Sequence, residues 1–171
     1  MAALHRLRYD EVASPIGKIL IALDGECLAA LDFEEYAARL HRLLERRIGP
    51  FVLATERNPA GMRSLIGDYF DGHHGALDNT PIAPHGSAFQ ERAWQALRSI
   101  RPGQVATYAE QAAKIGMPNA ARAVGHANAL NPIAIAVPCH RVIGKSRALT
   151  GYAGGLDRKR WLLEHEGVKL D

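Results

Sequence analysis

The chain has 171 residues and two cysteines, and one of these cysteines is followed by basic residues that could activate a thiol. Cys139 follows a proline and precedes His140 and Arg141, at the end of the apolar run NPIAIAVPCHRV. A thiol is nucleophilic when it is ionised, and neighbouring basic groups favour ionisation. Cys139 is therefore a candidate nucleophile. Adjacent side chains of an extended chain point to opposite faces, so His140 would reach the sulfur through a water molecule. The alternative, for an isolated cysteine–histidine pair, is an inert thiol beside a surface histidine.

Glu166 lies at an electrostatically unfavourable position, the carboxyl end of the last predicted helix. The last predicted helix, LDRKRWLLEHE, carries Glu164 and Glu166 in its final turn. A helix carboxyl end has partial negative charge, so an exposed acid there costs about 0.3–1 kcal/mol. This position suggests that Glu166 has a basic partner, either His140 or Arg141. With His140 as the partner, the chain would hold a nucleophile, a base and an orienting carboxylate.

The segment before the cysteine is expected to hold it rigidly. The run IAIAV (133–137) is short and rich in β-branched residues, which is typical of a buried strand. Pro138 cannot donate to a ladder, so it would end the strand directly before Cys139. We therefore expect Cys139 to be carried by a short strand.

Helices with clear start signals precede that strand. Capping boxes at Ser87–Gln90 and Thr107–Glu110 each open a helix, and the second helix should stop near Gly116. Asn119 is the expected N-cap of a helix over 120–130. Two short helices around Gly-Met-Pro have the spacing of a helix-turn-helix, although an ordinary αα-hairpin fits the pattern better.

The first half of the chain has the pattern of several β-strands and two helices. An Asp24-Gly25 pair between apolar runs predicts a β-hairpin. The predicted elements are strands within 5–32 and over 51–55, and helices over 34–47 and 58–70.

A segment rich in Gly, Pro, His and Asp, residues 71–86, is the predicted linker between domains at 1–80 and 87–171. Its histidines are His73, His74 and His85. They have no cysteine at ligand spacing, so we expect neither a zinc site nor any other metal.

The charge distribution favours a polyanionic binding partner for the second half of the chain. Residues 1–86 carry 9 basic and 12 acidic side chains, a net charge of −3, whereas residues 87–171 carry 12 and 6, a net charge of +6. Clustered positive charge is typical of binding to a polyanion such as nucleic acid. No apolar run approaches the ~20 residues of a membrane span, no signal peptide is evident, and two cysteines suit a reducing compartment. We expect a cytoplasmic protein that does not bind membranes.

Five ordered blocks of the second half resemble the O6-alkylguanine-DNA alkyltransferase family. The blocks are NAARAVG (119–125), NP (131–132), PCHRV (138–142), TGYAGGL (150–156) and WLLEHEG (161–167). The first half matches only loosely, mainly in YDEVASPIGKILIA.

The resemblance implies an α/β (α+β) fold. A small ribonuclease-H-like sheet domain would be followed by a mainly helical domain with a helix-turn-helix and the strand that bears Cys139. It also implies irreversible, single-turnover transfer of the alkyl group from O6-alkylguanine, and from O4-alkylthymine, in double-stranded DNA to Cys139 after base flipping. The recognition helix would enter the minor groove, and no cofactor would be needed. We expect a monomer, and cooperative binding to DNA stays open.

The resemblance also implies roles for single residues. Glu166 and His140, with a water between, would deprotonate Cys139. Tyr108 would donate a proton to the departing guanine, and Asn131 would brace the turn before the cysteine. The implied substrate contacts are Tyr108, Val142, Tyr152, Ala153 and Gly154, with carbonyls of Cys139 and Val142 and the N–H of Ala153 at the guanine edge. The implied DNA contacts are Ala121, Arg122, Ala123, Gly125, Asn128, Arg141, Lys145 and Arg147, with Arg122 filling the space of the flipped base.

One position departs from the family pattern. Arg147, in the loop Gly144-Lys145-Ser146-Arg147-Ala148, stands where the family commonly has a turn glycine. If the turn needs a positive φ, either Arg147 carries strain or the turn differs from that of the family. We expect Lys145 and Arg147 to contact either phosphate or the lesion at the pocket mouth.

Two other functions stay open from the sequence. One is a DNA-damage sensor that does no chemistry, against which the presence of Cys139 argues. The other is a Cys-His acyl hydrolase, which would turn over repeatedly.

Overall fold

The computed structural model describes residues 4–170. These residues form two compact units, the first ending at His85 and the second beginning at Gly86. The predicted fold class is confirmed, because the first unit is built on a sheet and the second is mainly helical.

The first unit contains a four-stranded sheet in the order β3-β2-β1-β4. Its strands are β1 (His5–Val12), β2 (Ile19–Asp24), β3 (Cys27–Phe33) and β4 (Phe51–Thr55). Strands β1 to β3 are antiparallel neighbours, and β4 runs parallel to β1. The predicted hairpin is confirmed: Asp24 pairs with Cys27, so Gly25 and Glu26 form its two-residue turn. Gly25 has a φ of 61°, which a glycine adopts without strain.

Two helices, α1 (Ala37–Ile48) and α2 (Met62–Phe70), complete the first unit as predicted. Short 3₁₀ turns, Glu34–Tyr36 and Pro59–Gly61, precede them. The apolar stripe of α1 is buried against the sheet. Leu40 and Leu44 of the helix join one cluster with Leu7, Leu20 and Ala22 of β1 and β2. The spacing that predicted the helix is therefore the spacing that its packing requires.

Much of the segment predicted to be a linker is packed onto the first unit. The backbone N–H of Leu28 donates to Pro81 at 2.8 Å, and that of Ala83 donates to Leu28 at 2.9 Å. Leu77 and Thr80 are buried. Residues 81–83 thus cover the outer edge of β3, which would otherwise expose unpaired backbone groups.

The second unit contains four helices and one two-stranded parallel ladder among the described residues. Its elements are α3 (Ala88–Leu97), β5 (Ala106–Thr107), α4 (Tyr108–Lys114), α5 (Ala121–Ala129), β6 (Val142–Ile143) and α6 (Leu156–His165). The predicted capping box of α3 is confirmed. The N–H of Gln90 donates to Ser87 Oγ at 3.2 Å, and the N–H of Ser87 donates to Gln90 Oε1 at 2.9 Å.

Helices α4 and α5 follow each other through residues 115–120 and pack together. Thr107 caps α4, accepting the Glu110 N–H at 3.1 Å, and Gly116 ends it with a φ of 77°. The prediction that Asn119 caps α5 is wrong. The N–H of Ala120 donates to the carbonyl of Met117, so Asn119 lies inside a turn and Ala120 takes the N-cap position without a side-chain bond.

The predicted strand over 133–137 is also wrong. Ile133 makes only an isolated bridge, and the residues after it form a turn in which the Val137 N–H donates to Ile133 at 3.0 Å. Ile135 has a φ of 68°, which is a strained value for a β-branched residue. Prolines at both ends remove two ladder donors, so an apolar run of strand composition closes into a loop. Cys139 begins a 3₁₀ turn, Cys139–Arg141, ahead of the short strand β6.

Candidate active site around Cys139

Asn131 holds the sulfur of Cys139 in place. Its Nδ2 donates to Cys139 Sγ at 3.3 Å and to the Val137 carbonyl at 2.8 Å. Its Oδ1 accepts the Ile133 N–H at 2.9 Å, so one side chain spans the whole loop before the cysteine. An N–H donor directed at sulfur also favours the charged thiolate over the thiol.

Glu166 contacts both of the basic residues, His140 and Arg141, that were predicted as alternative partners. Its Oε2 lies 2.9 Å from Nε2 of His140, and Nε and Nη2 of Arg141 donate to its two oxygens at 2.7 and 2.9 Å. All three side chains are buried. The prediction that an acid at this helix end has a basic partner is therefore confirmed, and the carboxylate is satisfied from two sides.

The electrostatics of this cluster determine its protonation. Burial lowers the pKa of His140 and outweighs the opposing effect of Glu166, so the ring is neutral at neutral pH. Burial alone would raise the pKa of Glu166, but His140 and Arg141 hold that pKa well below its usual range. A neutral ring beside a carboxylate donates through Nε2–H, which leaves Nδ1 as an acceptor. Nδ1 is buried and bonds no protein atom within residues 4–170.

A cavity of about 300 Å³ opens at the cysteine. Its walls are Tyr108, Gly125, Asn128, Ala129, Cys139, Gly151, Tyr152 and Ala153. Tyr108 stands in the first turn of α4, and its hydroxyl donates to the Thr150 carbonyl at 3.1 Å. Three predicted substrate contacts, Tyr108, Tyr152 and Ala153, thus line the same cavity as Cys139. The other two, Val142 and Gly154, are buried and are not among the lining residues.

The predicted DNA contacts fall into two groups. Arg122 and Ala123 are exposed on α5, with Ala121 and Gly125 partly exposed beside them. Lys145 and Arg147 are exposed on the loop after β6. These six residues are available to a partner.

Two predicted DNA contacts need correction because the structure turns them inward. Asn128 is buried, and its carboxamide exchanges two hydrogen bonds with Gln111, at 2.9 and 2.8 Å. Arg141 is only 3% exposed, and its third nitrogen donates to the Ile100 carbonyl at 2.7 Å. The polar atoms of both side chains form hydrogen bonds within the protein, so neither side chain is available to bind a phosphate.

Arg147 has the positive φ that a glycine commonly adopts at this turn. Its φ is 63°, and its N–H donates to the Gly144 carbonyl at 2.9 Å, while the Gly144 N–H donates to Ala148 at 2.9 Å. A left-handed arginine is strained, so the expectation of strain at this turn is confirmed.

Sequence reasoning missed Lys159. This lysine of α6 is fully buried, and its Nζ donates to the carbonyls of Val142 at 2.5 Å, Thr150 at 2.7 Å and Gly151 at 3.4 Å. Burial lowers the pKa of Lys159 to about 8, opposed by the charge of Cys139. A signal was present, since Lys159 shares the buried face of α6 with Leu162 and Leu163 at helical spacing, and the buried Glu166 follows directly after the helix.

Two family models match the two units of the chain. Residues 7–84 match the 6-O-methylguanine DNA methyltransferase, ribonuclease-like domain, and residues 88–168 match the 6-O-methylguanine DNA methyltransferase, DNA binding domain. The sheet unit, the helical unit and the thiol in its cavity therefore define a two-domain DNA alkyltransferase.

Known proteins of the same kind are similar over nearly the full length. The methylated-DNA–protein-cysteine methyltransferase of Salmonella typhimurium is 45% identical over 168 residues, which cover 96% of this chain and 98% of that protein. The Haemophilus influenzae protein of that name is 44% identical, covering 98% of this chain and 89% of the relative. This chain belongs to the methylated-DNA–protein-cysteine methyltransferase family.

Solved structures agree with this assignment. The crystal structure of Mycobacterium tuberculosis O6-methylguanine methyltransferase has a TM-score of 0.78 and 40% identity, covering 94% of this chain and 92% of that chain. A structure of the M. tuberculosis protein in complex with DNA has a TM-score of 0.75 and 38% identity over the same shares. The chain is thus a DNA-repair methyltransferase that transfers the alkyl group to a cysteine, and DNA is its partner. No helix within residues 4–170 is long and apolar enough to cross a membrane.

Proposed function

We propose that Cys139 is the acceptor of the alkyl group and that each molecule acts once. The observation that carries this proposal is the arrangement of three groups. Cys139 lines the cavity, Asn131 donates to its sulfur at 3.3 Å, and a neutral His140 is oriented by Glu166 at 2.9 Å. The second cysteine, Cys27, lies in strand β3 of the sheet unit.

The reaction proceeds by displacement at the alkyl carbon. His140 takes the thiol proton through a water at Nδ1, and Glu166 stabilises the charged ring that results. The sulfur then forms a bond to the alkyl carbon while the bond from that carbon to the base oxygen breaks. The departing guanine keeps that electron pair and receives a proton from Tyr108, so the alkyl group replaces the thiol hydrogen. The thioether that remains does not regenerate the thiol, so the site is consumed.

The substrate is an alkylated base in double-stranded DNA, presented by flipping. The base, O6-alkylguanine or O4-alkylthymine, leaves the stack and enters the cavity against Tyr152 and Ala153, and the backbone of Val142 and Gly154 borders it. Helix α5 enters the minor groove. There Ala121, Ala123 and Gly125 allow close approach, and Arg122 fills the vacated space.

Loop contacts complete the proposed DNA interface. Lys145 and Arg147 are exposed on the loop after β6 and neutralise phosphates of the bound DNA. The protein acts on DNA as a monomer.

Stoichiometry tests this proposal directly. Pure protein is incubated with excess duplex that contains O6-methylguanine, and lesion loss and protein mass are followed together. We expect loss of one lesion per protein and one added methyl group on Cys139. Cys139→Ser should abolish both, and the matched control Cys27→Ser should retain both. Lesion binding without a mass change would support a sensor, and turnover on ester substrates would support a hydrolase.

A further inference from the structure

Three basic side chains, Arg147, Arg160 and Lys169, line a second pocket of the helical unit. Its volume is about 200 Å³, and it shares no lining residue with the cavity at Cys139. The other residues that line it are Ser146, Ala148, Leu149 and Leu170. None of these lining residues is acidic, so the pocket concentrates positive charge in a space large enough for a small anionic group.

One apolar cluster holds together the three segments that carry these cations. Its members come from β6 and the loop after it, from α6 and from the last described residues, and they are Ile143, Leu149, Leu163, Val168 and Leu170. Leu149 is two residues from the first cation, Leu163 is one helical turn from the second, and Leu170 adjoins the third. Like charges repel, so packing of this cluster is what keeps the three cations close together.

The end of α6 brings Lys169 back towards Arg160. The N–H of Val168 donates to the Leu163 carbonyl at 2.9 Å, and the N–H of Gly167 donates to the Glu164 carbonyl at 3.0 Å. Gly167 has a φ of 93°. These bonds and this left-handed glycine form a Schellman end, which reverses the chain after a helix. Lys169 therefore folds back beside the last turns of α6 and reaches the pocket.

The three cations are available to an anion. Arg160 lies 3.6 Å from Glu164, but the two side chains are 49% and 54% exposed, so water screens this pair. Arg147 and Lys169 form no ion pair within residues 4–170. Arg147 also occupies a strained position, with a φ of 63°. A glycine would relieve that strain, but it would remove one of the three charges of the pocket.

The pocket is close to the cavity along the chain. Ala148 lines the pocket and Gly151 lines the cavity, three residues further on. Three residues span at most about 11 Å, and the phosphates of one DNA strand follow each other at a rise of about 3.4 Å. A phosphate in the pocket would therefore lie within about three nucleotides of a base in the cavity. Guanidinium groups suit this ligand, because they bind phosphate oxygens through two parallel hydrogen bonds.

We propose that Arg147, Arg160 and Lys169 together bind one backbone phosphate of the DNA, close to the flipped base. This inference deepens the proposed function and rests on the entry of that base into the cavity at Cys139. Phosphate contacts fix the register of a protein on DNA without reading its sequence. The pocket thus holds the damaged strand in place while the base is extruded.

The salt dependence of DNA affinity tests whether the cations share one phosphate. In a Cys139→Ser parent, which binds without transfer, fluorescence anisotropy with methylated duplex is measured at several salt concentrations. The variants are Arg160→Gln, Lys169→Gln and both together. The double variant should lose about 0.9 of the salt slope, whereas contacts to two separate phosphates would give a loss of about 1.8 and overturn the shared site. An unchanged slope would also overturn it. The charge-matched control Arg57→Gln, in the sheet unit, should keep the parent slope.

Neutral phosphate analogues locate the contact on the DNA. Single methylphosphonates are placed in turn at the phosphates within three nucleotides of the lesion on either side. At one position the substitution should weaken binding by the parent about tenfold and binding by the double variant less than about twofold, because that variant has already lost the contact. Equal losses for the two proteins at every position would refute the proposal.

Inorganic phosphate probes the other source of the same chemistry. NMR shifts of the amides of residues 144–149 follow its binding to the parent. If phosphate binds there while the double variant keeps the parent affinity for duplex, the pocket is a site for free anions and the proposal is wrong. Circular dichroism confirms that each variant is folded.

Failure of this inference is distinguishable from failure of the proposed function. With Cys139 present, the double variant should accept the methyl group from a free O6-methylguanine nucleoside at the parent rate, because the nucleoside has no phosphate. Absence of the Cys139 mass increase in the unmodified protein would refute the proposed acceptor. Equal DNA affinity of parent and double variant, with that mass increase intact, would refute only the phosphate pocket.

Discussion

Glu166 is the residue that joins the two basic side chains of the site, His140 and Arg141. Its carboxylate accepts from His140 and from Arg141, in a place where water does not compete. Arg141 neutralises the carboxylate, and the carboxylate sets which nitrogen of His140 carries the proton. A position that looks unfavourable on an isolated helix is thereby favourable in the folded protein.

Glu166→Gln should lower the rate of alkyl transfer by about 10²-fold, because the ring loses its orienting carboxylate and the charge that stabilises its protonated form. The matched control is Glu164→Gln, an exposed acid in the same helical turn. It should react at the parent rate. Single-turnover transfer from methylated duplex measures both, with circular dichroism to confirm folding. Equal rates for the two variants would contradict the relay.

The buried ring of His140 also predicts a pH dependence of stability. Its folded pKa is lowered, so the unfolded state binds more protons once the pH falls below about 6.5. The stability it contributes is full above that pH and is lost as the pH falls toward the folded pKa, by up to about 1.4 kcal/mol per pH unit. Urea unfolding between pH 7 and 5 measures this slope. His140→Gln should show a shallower slope, and an unchanged slope would argue against a neutral buried ring.

At the scale of elements, two turns carry the strain of this unit. The loop before Cys139 places Ile135 at a φ of 68°, and the loop after β6 places Arg147 at 63°. Asn131 secures the first loop with three hydrogen bonds. The second loop is closed by backbone bonds between Gly144 and Ala148 and between Arg147 and Gly144. Strain of this kind persists where the surrounding structure determines the backbone, and here it lies on both sides of Cys139.

Arg147→Gly should stabilise the protein by about 0.5–1 kcal/mol, because glycine adopts this φ without steric cost. Arg147→Ala keeps the strain and removes the same charge. If Arg147 contacts a phosphate, both variants should reduce the slope of DNA affinity against salt by about 0.9. Urea unfolding and binding titrations at several salt concentrations separate the two effects. An unchanged salt slope in both variants would refute the phosphate contact of Arg147. The prediction that Arg147 is strained would not be affected.

At the scale of the whole molecule, charge and function are divided between the halves of the chain. The first 86 residues have a net charge of −3 and the remaining residues +6. The helical unit holds the Cys139 thiol, the His140–Glu166 pair, the cavity and the exposed face of α5. We infer that DNA recognition belongs to this basic unit.

Arg122→Ala should slow transfer from alkylated duplex by about tenfold or more, because an extruded base leaves a space that costs a few kcal/mol to keep open. Transfer from a free alkylguanine nucleoside should stay within about twofold of the parent, since the nucleoside needs no flipping. The control is Arg57→Ala, an exposed arginine of the sheet unit. Equal losses on duplex and nucleoside would show that Arg122 supports the cavity and not extrusion.

Local signals determined much of this protein from sequence alone. The capping box at Ser87, the hairpin at Gly25 and the stripe of α1 depend on neighbours within a few residues, and each formed as predicted. The unfavourable position of Glu166 likewise indicated a partner. Such features follow from backbone groups and periodicity that a short stretch of chain already contains.

Tertiary structure decided what depends on distant partners. The run before Cys139 has strand composition, but two prolines and the Asn131 side chain close it into a loop. Asn128 and Arg141 point inward because Gln111 and Glu166 are there to receive them. Lys159 is buried because three carbonyls from separate segments meet at its ammonium. A polar side chain has several possible partners in the sequence, and only the packed chain selects those that replace water.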